Sequence, residues 1–393
     1  MDGVRSAAIS WAIPAGAARD PDDRQGLAAM WHELLLRGAG NLDSRAHADA
    51  LDRLGTTRGW DVGMLSLRLG LTLLGERVLE ALPLVVDMVR RPRFEEAAIE
   101  PVRDLCLQSL ASLADEPQQR ASLAARSRHN PSPFNRSGMG TEDGLTAITR
   151  DDVVTGWHQR AVPVGSVLAI AGPVDADAIA DRLNTLLDGW TGSIAPIPRA
   201  PALARGYAHE TDQSNQVQIL ALFDAPPESH PDCRLERAAA AVLSGGMSGR
   251  LFTEVREKRA LCYSVAAGYT TEKDIGTLSA YVGTTPERAQ QSLDVLWSEL
   301  QRLATPEGRA TPEELHRAAV GMKSRLIFSG ESTTARAGAL TGDYIRLGRA
   351  RPLSELIEQI QLLNLDELNA YLARRKPGHP TIQTLGPAAL TPP

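Results

Sequence analysis

At 393 residues, with 43% hydrophobic and 23% charged side chains, the chain has the composition of an ordinary folded protein, long enough for two domains with a core each. Its net charge of -6 argues against nucleic acid or an anionic membrane surface as the main partner. The longest apolar runs, such as Val167-Leu168-Ala169-Ile170-Ala171, are far too short to span a bilayer. Three cysteines, Cys106, Cys233 and Cys262, lack a C-x-x-C spacing and imply buried thiols in a reducing compartment. Val4 to Ile13 reads as a strand without the charged start and cleavage site of an export signal, so the expected location is the cytoplasm.

That strand ends in the turn-rich run Pro14 to Asp23, and helices are predicted from about Gln25 to Leu36, closed by Gly38-Ala39-Gly40, and from Ser44 to Leu54. Thr56 to Leu74 alternates as two strands of a meander, with Leu65, Leu67, Leu69 and Leu71 sharing a face. Glu76 to Arg90 and Glu95 to Ala114 are amphipathic helices split at Pro92. His129 to Gly138 reads as a surface loop, Asp151 to Arg160 as a helix, Gly165 to Ala171 as a buried strand and Asp175 to Leu187 as a helix. Gly192 to Gly206, proline-rich and without periodicity, is the expected linker between domains at 1–191 and 207–393.

The second half repeats the order: a strand from Ser214 to Phe223, a helix from Cys233 to Leu243, and a strand from Gly276 to Gly283. Long helices follow at Thr285 to Leu303 and Thr311 to Ile327, then a shorter one at Asp366 to Arg374 and a strand from Pro380 to Gly386. Leu168-Ala169-Ile170-Ala171-Gly172-Pro173 pairs with Ile382-Gln383-Thr384-Leu385-Gly386-Pro387, an internal duplication. Strands followed by runs of helices indicate α+β: two similar tandem domains, each an antiparallel-rich sheet packed with helices.

Leu243 to Ala267, LSGGMSGRLFTEVREKRALCYSVAA, concentrates the chemistry. Ser244, Gly245, Gly246, Met247, Ser248 and Gly249 are too glycine-rich for a helix or strand interior and free backbone N–H groups to face a partner or substrate. Arg250 to Lys258 reads as a short helix, and after Arg259-Ala260 the period becomes two. Leu261, Tyr263 and Val265 then share one face, and Cys262, Ser264 and Ala266 the other. A helix end feeding a strand lets Arg256 and Tyr263 converge, a guanidinium fork beside a phenol, suited to a peptide carbonyl or carboxylate and to an oxygen gaining negative charge. Spacing alone also allows Arg256 to sit in the last turn near the negative dipole end while Tyr263 fills half-buried sheet.

The run G-M-S-G-R-L-F-T-E-V-R-E-K-R-A-L-C-Y-S-V resembles the second-domain signature of the insulinase, or pitrilysin-like, metallopeptidase family (peptidase M16), roughly G-x-S-S-R-L-F-x-x-L-R-E-x-x-G-L-x-Y-S-V. The resemblance implies the LuxS/insulinase-like metallohydrolase fold over nearly the whole chain, and that Arg256 and Tyr263 hold the substrate backbone and assist at the scissile carbonyl. Gly249 stands where a serine is usual, and Arg259-Ala260 where a glycine often appears. Family members usually begin with a further strand of the type L-x-N-G-L-x-V, so the chain is expected to start one strand late, by truncation or loss.

Catalytic members carry H-x-x-E-H on the first helix and a glutamate some way downstream. Matching Gly26-Leu27-Ala28 to the family's G-L-A puts Ala29 at the first histidine, His32 at the base and Glu33 at the second histidine; the downstream glutamate falls at Ser109. Adjacent helix residues point about 100° apart, so His32 and Glu33 are not expected to clasp an ion, and no metal or cofactor is expected in this chain. The leading expectation is a non-catalytic subunit that binds peptide and supplies Arg256 and Tyr263 to a zinc-bearing H-x-x-E-H partner, the pair forming a heterodimeric zinc endopeptidase. The alternatives are a structural or assembly subunit of the same fold, and an active zinc peptidase with displaced ligands. No nucleic-acid or membrane partner is expected.

Overall fold

A computed structural model describes residues 3–202 and 204–393; Met1, Asp2 and, within the linker, Leu203 lie outside the described residues. In chain order, β1 (Ser6–Ile13) is followed by α1 (Leu27–Leu34), a short hairpin of β2 (Gly38–Ala39) and β3 (Leu42–Asp43), α2 (Ser44–Arg53), β4 (Thr57–Val62), β5 (Leu67–Leu74) and α3 (Val78–Arg90). Next come α4 (Glu96–Ala111), α5 (Pro117–His129), α6 (Glu142–Ala147), α7 (Arg150–Arg160), β6 (Val167–Ala171) and α8 (Ala176–Leu186). Beyond the linker lie β7 (Gly206–Thr211), β8 (Val217–Ala225), α9 (Cys233–Ser244), a π-helical turn (Phe252–Glu257), β9 (Cys262–Glu272), β10 (Ile275–Thr284) and α10 (Ala289–Arg302). The chain closes with α11 (Pro312–Glu331), α12 (Thr333–Leu347), α13 (Leu353–Gln361), α14 (Leu365–Arg374) and β11 (Thr381–Gly386).

Each of two compact units holds one main sheet, and the first also holds the β2-β3 hairpin. The first sheet has the order β4-β5-β1-β6 and the second β7-β11-β8-β10-β9. β6 lies antiparallel beside β1 as β11 lies antiparallel beside β8, so the two segments matched in sequence occupy equivalent places. β7 adds a strand parallel to β11. Its presence makes a difference in burial. β11 is buried along its whole length, whereas β6, with no strand beyond it among the described residues, is half-buried at four of five positions, contrary to the fully buried strand expected at Gly165 to Ala171.

The alternation within β1 dictates its two environments. Ala7, Ile9, Trp11 and Ile13 enter the main core of the first unit, while Ser6, Ala8, Ser10 and Ala12 present a face of small side chains. A helix can lie close on such a face. α12 supplies it: Ala337 packs on Ala8 and Ala171, and Ser10 Oγ and Thr341 Oγ1 hydrogen-bond at 3.0 Å. In the second unit, Val217, Ile219, Ala221 and Phe223 of β8 line the main core, and Leu220 and Leu222 meet Ala121 and Ala125 of α5. Thus α5, which precedes the linker, packs in the second unit, and α12, which follows it, packs in the first for all but its last two residues. The stretch from His129 to Gly138 is accordingly not all surface, since His129 and Phe134 are buried.

The start of α1 is held by a buried acid. Asp20 Oδ2 accepts the N–H groups of Gly26 (3.0 Å) and Ala28 (3.3 Å), and its Oδ1 accepts from Arg160 Nη1 at 2.8 Å. Both Asp20 and Arg160 are buried, so each charge depends on the other, and the guanidinium also covers the Trp31 ring at 4.7 Å. Gly26 has φ +123°, and a Cβ there would come within 2.6 Å of Leu145. This clamp fixes which face of α1 looks outward.

Candidate functional site

With Leu27, Ala28, Met30, Trp31 and Leu34 turned into the core, α1 leaves Ala29, His32 and Glu33 on its remaining face. α4 brings Cys106 and Ser109, three positions apart, against the same face. Together with Val62, Leu105, Gly138 and Met139 these residues line a cleft of about 270 Å³. The four positions expected from the sequence, Ala29, His32, Glu33 and Ser109, therefore do share one site.

His32 Nδ1 and Glu33 Oε1 lie 3.0 Å apart, both about one-third exposed. The carboxylate raises the imidazole pKa, helped by a hydrogen bond with the Trp60 backbone, and the imidazole in turn lowers that of Glu33. Adjacent helix positions were expected to diverge, but the glutamate stem is long enough to swing its carboxylate back to its neighbour. The two side chains satisfy each other. Cys106, expected from the sequence as a buried thiol without a place in this site, has that thiol pushed up to about 11, first by burial and then by Glu33, so it stays protonated at neutral pH.

The donor set does not fit zinc. A methyl group and a hydroxyl stand at Ala29 and Ser109 where ligands would be needed, and Glu33 is engaged by His32. Among the described residues no three His, Cys, Asp or Glu side chains cluster as a metal site.

The other candidate stretch lies in the second unit. α9 ends at Ser244, and Gly245, Gly246, Ser248 and Gly249, with Met247, line a cleft of about 150 Å³ beside Glu314, Arg317 and Ala318 of α11. A Cβ on Gly249 would approach the Leu243 carbonyl to 2.9 Å, which explains glycine where the family often has serine. Arg250 anchors the loop. Its guanidinium, 8% exposed, grips Glu314 bidentately at 2.6 and 2.7 Å and donates to the carbonyls of Gly308 (2.5 Å) and Arg309 (2.7 Å). The partner lies 64 residues away, so no local signal announced it.

The predicted helix from Arg250 to Lys258 is largely a π-helical turn, Phe252–Glu257, a form common at functional sites. It delivers Arg256 toward the start of β9: Nη1 donates to the Tyr263 carbonyl at 2.7 Å and the guanidinium stacks on Phe252 at 4.9 Å. Among the described residues Arg256 has no acidic partner. Tyr263 is 70% exposed. Its expected alternation with Leu261 and Val265 fails because Thr284 faces Cys262 while Gly283 faces Ser264, leaving Tyr263 in a β-bulge that turns it outward. Ala260, in the turn before the strand, has φ +48°, the left-handed geometry that a glycine adopts without strain.

Two tandem α+β units, with a cleft on the first helix of one and this arginine and tyrosine in the other, define a protein of the insulinase-like class. Residues 2–136 match the insulinase (peptidase family M16) model and residues 147–321 that of the peptidase M16 inactive domain, and the chain belongs to the M16 family. It is 24% identical to the uncharacterized zinc protease YmxG of Bacillus subtilis over 378 residues, covering 95% of this chain and 90% of the relative. To the uncharacterized zinc protease Rv2782c of Mycobacterium tuberculosis it is 25% identical over 384 residues, covering 94% and 86%. A peptidase M16 inactive domain from Pseudomonas fluorescens superposes with TM-score 0.86 at 21% identity, covering 100% of this chain and 95% of that one. A protease from Helicobacter pylori gives TM-score 0.81 at 17% identity, covering 97% and 94%. No helix among the described residues is long and apolar enough to cross a membrane.

Proposed function

We propose that this chain is a non-catalytic M16 subunit that binds peptide and lends Arg256 and Tyr263 to proteolysis by a zinc-bearing partner subunit with an intact H-x-x-E-H. The observation that carries this reading is a contrast in satisfaction: the groups on α1 are paired with each other, whereas the Arg256 guanidinium has no acid and the Tyr263 phenol stands in solvent. With one Nη bound to its own backbone, Arg256 is held in place and keeps its other donors for a substrate carbonyl or carboxylate. The tyrosine O–H can donate to an oxygen that gains charge as the carbonyl is attacked. Neither group supplies a nucleophile, so each is useful only where another molecule does.

The test is peptide cleavage by this chain alone, by the partner alone and by the mixture. The mixture is expected to exceed the sum of the parts, and Tyr263→Phe to lower its kcat by about 10²-fold, the usual scale for one donor to a developing oxyanion. Undiminished cleavage with Tyr263→Phe and Arg256→Gln together would favour a purely architectural role.

A further inference from the structure

The turn after β1 and the linker build a second cleft in the first unit, apart from the one on α1. About 490 Å³ in volume, it is lined by Arg19, Asp20 and Asp22 of that turn, by Pro133 and Arg136, and by residues 196–200 of the linker. Its size falls within the roughly 300–1,000 Å³ that small-molecule sites occupy. The linker is tied down over it: the Ala200 N–H donates to the Ser132 carbonyl at 2.9 Å, and the Ala195 carbonyl accepts from Arg19 Nη1 at 2.7 Å. Three arginines, Arg19, Arg136 and Arg199, meet two aspartates in the lining. Both acids are already engaged, Asp20 by Arg160 and the start of α1, Asp22 by Arg136.

Arg19 is left over. Among the described residues it has no acidic partner; its guanidinium donates to the Ala195 carbonyl, and its buried Nε donates to nothing. Burial first, and then the Arg160 guanidinium, lower its pKa, so the charge is held where solvent and neighbours both disfavour it. An anion brought to such a cation relieves that penalty. Arg136 is a ready second donor, because its Asp22 partner is 91% exposed and an exposed ion pair is weak. The rest of the wall is apolar and stiff. Pro133, Pro196 and Pro198 have fixed φ, Ile197 lies between the last two, and the Arg199 guanidinium is seated on the Phe134 ring at 4.8 Å.

We propose that this cleft binds a small organic anion, with its carboxylate or phosphate on Arg19 and Arg136 and its apolar body against the prolines and Ile197. Either head presents paired oxygens to a guanidinium fork. All of these residues belong to the first unit, so the site stands independently of the role given to Arg256 and Tyr263.

The test is isothermal titration of the full chain with benzoate, phenyl phosphate, inorganic phosphate and the neutral benzamide. At least one of the two aromatic acids is expected to bind at least about tenfold more tightly than benzamide, which lacks the charge, and than inorganic phosphate, which lacks the ring. The tighter of the two identifies the head the site is built for. Arg19→Gln is expected to weaken that acid at least about tenfold, with partial recovery in Arg19→Lys, which keeps the charge without the fork. Ile197→Ser is expected to weaken it about threefold and to leave inorganic phosphate unchanged. Benzamide binding as tightly as the acids overturns the proposal in the native chain, without recourse to any variant. So does the absence of binding by either acid at millimolar concentration, or binding that Arg19→Gln leaves unmoved.

Discussion

The cleft on α1 and the π-helical turn before β9 are both places where the family's chemistry would be sought, and they have opposite electrostatic character. In the cleft, acid and base are adjacent and consume each other; before β9, a cation held by a carbonyl and a ring has no acid beside it, and a phenol stands exposed. A polar group already satisfied gains little from a ligand, and one left open gains much. The difference teaches where in this chain a substrate is worth looking for.

The largest effect expected on the open region is on the platform beneath it. Arg250→Ala leaves Glu314 without its fork and removes donors from two carbonyls, at a cost of about 3 kcal/mol, read as a fall in the denaturant midpoint. Retention of stability would break the view that the glycine loop is rigidly anchored.

Two histidines sharpen the comparison through pH. His129, buried and 3.5 Å from Asp224, has its pKa lowered to about 4, by burial first and then by Arg205. Its unfolded value is near 6.5, so its contribution is complete above that pH and is lost as pH falls toward 4, roughly 3 kcal/mol in all. His32 moves the other way. Its raised pKa means that its pairing stabilises fully below 6.5 and fades as pH rises through the folded value, while Glu33 limits it from the acid side. Glu33→Gln is expected to return His32 toward its ordinary pKa in an NMR titration and to cost about 0.5 kcal/mol, since both groups are partly solvated. An unmoved His32 would contradict the self-satisfied cleft. The smallest effect is a gain: Ala260→Gly relieves the left-handed φ and raises stability by about 0.5 kcal/mol in thermal melts.

The period-two and amphipathic stretches were legible, as were the glycine turn and the positions that meet in the cleft. The helices α5 and α12 were not, and the reason is physical. α12 lies on a face of small side chains and α5 on Leu220 and Leu222, but both bury small residues of their own, Ala121 and Ala125 in α5, Ala337 and Thr341 in α12, so neither shows a stripe of large apolar residues. β7 escaped notice because His209, Glu210 and Thr211 are polar edge residues tied to Thr384, Arg120 and the end of β11. At the site, the convergence of Arg256 on Tyr263 followed from the order of elements, but it is the backbone of Tyr263 that the guanidinium holds. The π turn and the bulge each add one residue to a regular repeat, and periodicity has no means of announcing that.

The central claim is that this chain grips a substrate that another chain cuts. Its most direct test is zinc-dependent peptide hydrolysis by a defined mixture of this chain and an H-x-x-E-H partner, with Arg256→Gln and Tyr263→Phe introduced only here. The expected result is no hydrolysis by this chain alone, hydrolysis by the mixture, and a loss of about 10²-fold with either substitution. Chelator-sensitive hydrolysis by the chain alone would contradict it.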